Sequence, residues 1–267
     1  MSLAHILLVA IIQGITEFLP VSSSGHLVLV PHLTGLPDQG LAIDVAVHIG
    51  TLVAVVVYFW RDVRIGLAGI PRMLIGKIDT PGAKLAFLLV VATIPAIVLG
   101  LIFKVSGLSD QMRSIKVIAW TMIIFGLVLY WVDQKGAEQK QAGDWSLRDA
   151  VIMGLWQALA LIPGTSRSGA TISGARALGY TRADGAKLAM LMSIPTIIAS
   201  GVLLGAEVAA NADAQIARDG AIAAVFSCVA ALLALSLMMR LLQSVSFTPY
   251  VIYRIALGVL LLGIAYL

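Results

Sequence analysis

Two short polar islands interrupt an otherwise oily sequence, and both carry residue types suited to phosphate. The first runs Gln13-Gly-Ile-Thr-Glu-Phe-Leu-Pro-Val-Ser-Ser-Ser-Gly-His26. It places an amide (Gln13), a carboxylate (Glu17), three consecutive serines (Ser22, Ser23, Ser24) and an imidazole (His26) within fourteen positions. Gln13 and Glu17, four apart, share one helix face. Ser22 to Ser24 and Gly25 lead into a helix expected to start with His26, and free amides at a helix N-terminus beside a glycine form an anion site. His26 suits the role of general base, general acid or nucleophile. The second island, Pro163-Gly-Thr-Ser-Arg-Ser-Gly-Ala-Thr171, lies about half a chain away. Arg167 stands there as a bidentate phosphate ligand. Gly164, Thr165, Ser166, Ser168 and Thr171 supply further phosphate contacts.

Each of these residues also has a plainer reading. Gln13 could bridge two helices, the serines could be helix caps, and Glu17 could be a structural ion pair with Arg254 or Arg167. Intramembrane ionisable groups are functional by default, and a plain ion pair leaves the hydroxyls and glycines unexplained. Asp44 and His48, again four apart, and the deep Arg254 are expected to support the site. No histidine spacing makes a zinc pattern. A hard divalent cation, Mg²⁺ or alternatively Ca²⁺, is expected at Glu17, where it would bridge the carboxylate to a pyrophosphate. The chemistry that fits is hydrolysis of a phosphate ester or anhydride on a lipid carrier, in which positioning and positive charge do most of the work.

The elements that must hold these residues are membrane helices. Of 267 residues, 60% are hydrophobic and 12% charged, and mean hydropathy is +0.98, far from a soluble domain's composition. The 18 basic against 14 acidic residues read as topology rather than as a nucleic-acid surface. Single Cys228 allows no disulfide framework, and a basic leader segment is not seen before Arg61. Six apolar segments are long enough for a hydrocarbon core of ~30 Å: Leu41–Trp60, Leu85–Phe103, Ile115–Val132, Gly185–Gly205, Ala221–Met239 and Thr248–Leu267. Leu3–Leu36 and Leu147–Leu178 are apolar but broken by the islands, which predicts two re-entrant helix pairs whose tips avoid lipid.

The fold class expected is therefore an all-α polytopic membrane protein, one domain over 1–267, built as an inverted-topology repeat. The first repeat covers about 1–134 and the second about 146–267. At an offset of 144, Gln13, Ser22, Ser24 and Gly25 match Gln157, Ser166, Ser168 and Gly169. Interrupted segments at matching places in inverted repeats point to a midplane site. With the N-terminus outside, twelve Lys and Arg residues (61, 64, 72, 77, 84, 135, 140, 148, 176, 182, 187, 240) fall inside and four (104, 113, 116, 218) outside, a positive-inside bias.

On the two islands, and on the closing Ser246-Phe-Thr-Pro-Tyr-Val-Ile-Tyr-Arg254, the sequence resembles the bacterial undecaprenyl-pyrophosphate phosphatase family, the bacitracin-resistance proteins, over essentially its whole length. The resemblance implies removal of the terminal phosphate of undecaprenyl pyrophosphate, which leaves undecaprenyl phosphate for cell-wall precursor export. It also implies divalent-metal dependence, bacitracin resistance and the inverted-repeat fold in a bacterial inner membrane, with the site open to the periplasmic or outer face. It casts Glu17 in metal binding or acid–base work, Arg167 as the phosphate clamp, and Ser23 or His26 as nucleophile, with Ser23 preferred. Many relatives carry Glu at the position of Gln13, which cannot hold a charge and is assigned to positioning. A homodimer is admitted among the expected assemblies. The rival readings are a transporter or flippase for a polyprenyl-phosphate lipid and, more plainly, a small-molecule channel.

Overall fold

The computed structural model describes residues 1–108, 112, 114–211 and 213–266. Among them the protein is helical throughout. Two short helices, α1 (Leu3–Thr16) and α2 (Ser23–Thr34), precede α3 (Gly40–Tyr58), α4 (Trp60–Leu74), α5 (Pro81–Ser106) and α6 (Ile115–Lys135). The order then returns to two short helices, α7 (Leu147–Leu159) and α8 (Arg167–Ala177), followed by α9 (Arg182–Asn211), α10 (Ala214–Leu241) and α11 (Thr248–Tyr266). Six helices are long and apolar enough to cross a membrane, namely α3, α5, α6, α9, α10 and α11, the six expected. Only 28–39% of their apolar windows is buried inside the protein. The rest faces outward, as surface solvated by lipid must.

Local chemistry sets the helix limits. Ser2, Thr80, Ser114, Ser146 and Asp213 cap their helices by accepting from His5, Ala83, Val117, Asp149 and Ile216 amides, satisfying donors that have no partner in the first turn. The stretch after the first long helix is not apolar all round. The chain corners at Phe59 and runs on as α4, an amphipathic helix with Arg61 and Arg64 exposed and Gly66 and Gly69 buried against α5. This element was not expected, because Gly66, Gly69 and Pro71 break up its apolar pattern.

The packing crosses between the two halves of the chain. Helix α1 lies along α10, and α7 lies along α5. So the short helix that opens each half packs on the second long span of the other half. Both contacts need a glycine: a Cβ on Gly14 would stand 2.6 Å from the Ser227 carbonyl, and one on Gly154 would stand 2.5 Å from the Ala92 carbonyl. The long helices join one another through α3 with α10 and α9, and through α6 with α11. Phe18, Leu129, Ile172, Met190, Leu235 and Phe247 form the largest buried cluster at its centre.

Helix α8 is pinned at its far end. Arg176, fully buried, donates from Nε to Asp133 Oδ1 at 3.0 Å and also reaches the backbone carbonyls of Asp133, Gly136 and Tyr180. Arg182 joins the same carboxylate at 2.8 Å, and Lys187 pairs with Asp62 at 2.7 Å. These ion pairs bring Arg176 and Arg182 onto one carboxylate, with Lys187 bound to Asp62 five residues further along α9. Nearby, Asp149 accepts from Lys140 and from the Tyr180 hydroxyl. Burial opposes its ionisation, but those two donors outweigh the penalty and hold the Asp149 carboxyl below its usual range, while burial and Asp149 push the Tyr180 hydroxyl up.

Candidate active site

The two polar islands form the corners between α1 and α2 and between α7 and α8, and they meet. Each corner turns on a serine held in the left-handed region, Ser22 at φ 71° and Ser166 at φ 69°. A side chain there costs on the order of 1–2 kcal/mol, and the surroundings must hold it in place. Helix α2 starts at Ser23, a turn before the His26 start expected from the serine–glycine run, because Ser22 and not Gly25 makes the corner. Gly25 instead leaves room for Met122, whose sulfur would be 2.6 Å from a Cβ. Gly164, at φ 88°, backs onto Thr121 and Ile118 in the same manner.

Side chains and peptides tie the corners together. Gly164 N–H donates to Ser24 Oγ at 3.3 Å, and Ser168 Oγ donates to the Leu19 carbonyl at 3.0 Å. Thr121 reaches the Pro163 carbonyl. Arg254 of α11, fully buried, donates to the carbonyls of Pro20 (3.3 Å), Gly164 (3.1 Å) and Thr165 (2.8 Å). The partner expected for this deep arginine is thus a set of turn carbonyls rather than a carboxylate. With those carbonyls aimed at Arg254, the opposite ends of the same peptides turn their N–H groups away from it.

At the junction sits Glu17, the C-cap residue of α1 and almost fully buried. One carboxylate oxygen, Oε1, accepts from Arg167 Nη2 at 2.6 Å. The other, Oε2, accepts from Ser23 Oγ at 3.1 Å and from Gln13 Nε2 at 2.8 Å. Ser23 is the first residue of α2 and Arg167 the first of α8, so one carboxylate joins the starts of both helices. Arg167 Nη1 is buried and has no hydrogen-bond partner, an unspent donor at a helix N-terminus, where anions are favoured.

His48 comes closer than its surroundings in the sequence suggested. Its Nδ1 donates to the Asp44 carbonyl, and its Nε2 accepts from Gln13 Nε2 at 3.1 Å and lies 3.8 Å from Glu17 Oε2. The Asp44 carboxylate accepts from Gln39 at 2.9 Å, so Asp44 serves through its backbone carbonyl. His26 is oriented by other partners, the Ser22 carbonyl at 2.8 Å and the Tyr253 hydroxyl at 2.7 Å. Thr165 and Thr171 are fully buried, and Thr171 bonds back to the Arg167 carbonyl at 2.8 Å. Ser22 pairs with Ser24 and Ser166 with Ser168, each at 3.1 Å. Tyr253 and Thr121 escaped notice in the sequence, where a polar tip on a spanning helix beside Arg254 was the available signal for Tyr253.

Among the described residues no three His, Cys, Asp or Glu side chains cluster. The donors at Glu17 nevertheless fit a hard cation that keeps much of its coordination for water and phosphate oxygens. Beside the carboxylate, Gln13 Oε1 is buried and accepts no hydrogen bond.

Both islands, their spacing and their junction lie within the reach of one sequence profile, that of the bacitracin resistance protein BacA, which matches residues 6–260. The chain belongs to the BacA family. Among its relatives is the undecaprenyl-diphosphatase of Ruegeria pomeroyi, 73% identical over 266 residues, the full length of both chains. That of Jannaschia sp. is 70% identical over the same span. The undecaprenyl-diphosphatase of Erythrobacter litoralis is 43% identical, with 98% of this chain and 99% of that protein covered. BacA-family membership thus spans both corners and every helix that carries them.

Proposed function

We propose that this protein hydrolyses undecaprenyl pyrophosphate to undecaprenyl phosphate and inorganic phosphate, and thereby confers resistance to bacitracin. The observation that carries this reading is the Glu17 carboxylate shared by Ser23 and Arg167, next to a buried guanidinium nitrogen with no partner. Undecaprenyl-diphosphatases 65–73% identical over the whole chain supply the substrate.

The arrangement provides a nucleophile with its base. Ser23 Oγ attacks the terminal phosphorus and its proton passes to Glu17 Oε2. The bond to the bridging oxygen breaks, and the electron pair leaves with undecaprenyl phosphate. Arg167 and the first-turn amides of α2 and α8 hold the phosphoryl oxygens. A bound pyrophosphate competes with Glu17 for the Arg167 guanidinium. Water then cleaves the phosphoserine; its proton passes to His26 Nε2, and Glu17 returns a proton to Ser23 Oγ. Ser23 is the nucleophile in preference to His26 because only Ser23 touches the carboxylate. Glu17 with Gln13 Oε1 would hold Mg²⁺ or Ca²⁺, and such an ion would neutralise charge on the pyrophosphate. Gln13 and His48 orient Glu17, and Arg254 holds the two corners in register.

The setting belongs to the same proposal: an inverted repeat of about 1–134 and 146–267, with re-entrant pairs α1–α2 and α7–α8, in the inner membrane. The exchanged contacts α1 with α10 and α7 with α5 favour the repeat. The positive-inside bias of the sequence, with Arg176 and Arg182 beyond the far end of α8 from the corner, favours a site that opens away from the cytoplasm. The test is release of inorganic phosphate from a long-chain polyprenyl pyrophosphate by the purified protein in detergent, with and without Mg²⁺. Metal-dependent release that disappears in Arg167→Ala is the expected result. No release from folded protein would overturn the reading.

A further inference from the structure

Tyr253 has no role in the hydrolysis just described, yet it holds one of its residues by two contacts. Its ring lies nearly parallel to the His26 imidazole, with 7° between planes and 5.5 Å between centroids. Its hydroxyl is 2.7 Å from His26 Nε2. The other imidazole nitrogen faces the Ser22 carbonyl at 2.8 Å. A carbonyl can only accept, so Nδ1 carries the hydrogen and the lone pair stands on Nε2. Every proton that His26 takes or gives therefore passes at Nε2, where the phenol sits. A phenol hydroxyl donates to that lone pair when the ring is neutral and accepts from Nε2–H when it is charged. The contact survives both states.

The helices make this contact matter. Helix α2 packs on α1 and α6, and this pair links it to α11. Tyr253 is half exposed, at 47%, and neighbours the fully buried Arg254 that fastens both corners. Helix α11, fastened to both corners by Arg254, thus presents a hydroxyl to an imidazole on α2. We infer that Tyr253 is a positioning residue that acts through His26: it holds the ring, in the tautomer that the Ser22 carbonyl sets, and turns from donor to acceptor as Nε2 takes the proton of the attacking water.

This inference rests on the two-step hydrolysis above. Its test compares phosphate release by wild type, Tyr253→Phe, His26→Ala and the double variant, beside nitrogen-15 spectra of histidine-labelled protein. Tyr253→Phe removes one oxygen from a half-exposed ring and leaves folding intact. In the single variant kcat should fall about 10- to 100-fold, the scale on which losing the partner of a functional imidazole is felt. KM should stay within about twofold, and the same change should cost nothing more once His26 is alanine. The Nε2 resonance of His26 should shift in Tyr253→Phe as its hydrogen bond is lost. An equal loss of rate with and without His26, or an unmoved Nε2 resonance, would overturn the inference. If wild-type protein released no phosphate, the hydrolase reading would fall, while the spectra would still decide whether Tyr253 sets the imidazole.

Discussion

At the start of α2 a serine takes φ 71°, and at the start of α8 a serine takes φ 69°. Each is followed two residues later by a serine whose hydroxyl it meets at 3.1 Å, and then by a glycine. Beyond this shared backbone the corners diverge. Ser166 caps its helix by accepting from Gly169 N–H, and Ser22 makes no such bond. Ser166 and Ser168 are buried, while Ser23, Ser24 and His26 are half exposed. At the offset of 144, Ser23 answers to Arg167, His26 to Ala170 and Glu17 to Leu161. One corner keeps the carboxylate, the hydroxyl and the imidazole. The other keeps the guanidinium and a capped, buried frame. With the same backbone device at both corners, the hydroxyl and the imidazole stand on one helix and the guanidinium on another.

The comparison can be broken most severely at its reactive corner. Ser23→Ala should lower phosphate release by on the order of 10⁴-fold or more, as removal of a nucleophile does, with thermal unfolding unchanged. Retention of substantial turnover would move the nucleophile elsewhere. On the other corner, Arg167→Ala should cost about 10²- to 10³-fold in kcat, the scale of a lost transition-state donor. Arg167→Lys should recover little of it, since an ammonium lacks the fork. Arg254→Met tests the joint between the corners. It strands three carbonyls, and unfolding in detergent should lose about 3 kcal/mol. Ser166→Ala should cost about 1 kcal/mol as a lost cap, whereas Ser22→Ala should cost less, because its hydroxyl caps nothing. A distant control is Asp149. Its depressed carboxyl stabilises the fold fully above the unfolded carboxylate range, and that contribution is lost as pH falls through the folded value. Between pH 6 and pH 3 the melting temperature of wild type should therefore drop more than that of Asp149→Asn.

Much of this plan was legible in the sequence. Length and hydropathy marked all six spans, because a lipid-facing helix must be apolar nearly all round. Pro20 and Pro163, with the serines after them, marked both breaks. The carboxylate's partner was narrowed to Arg254 or Arg167, and the structure selects Arg167. Other features depend on how helices approach one another, which spacing along one chain does not encode. His48 reaches Gln13 from another helix, and Tyr253 meets His26 across 227 positions. Helix α4 hides because it follows the period of a surface helix rather than the long apolar run of a span.

Arg167 is the first residue of an eleven-residue helix whose other end is locked by Arg176 into Asp133 and three backbone carbonyls. Such a helix is a strut of roughly 16 Å, and its leading guanidinium stands at a fixed height. In this respect α8 works as a ruler: its length fixes how far the guanidinium of Arg167 stands from the carboxylate of Asp133.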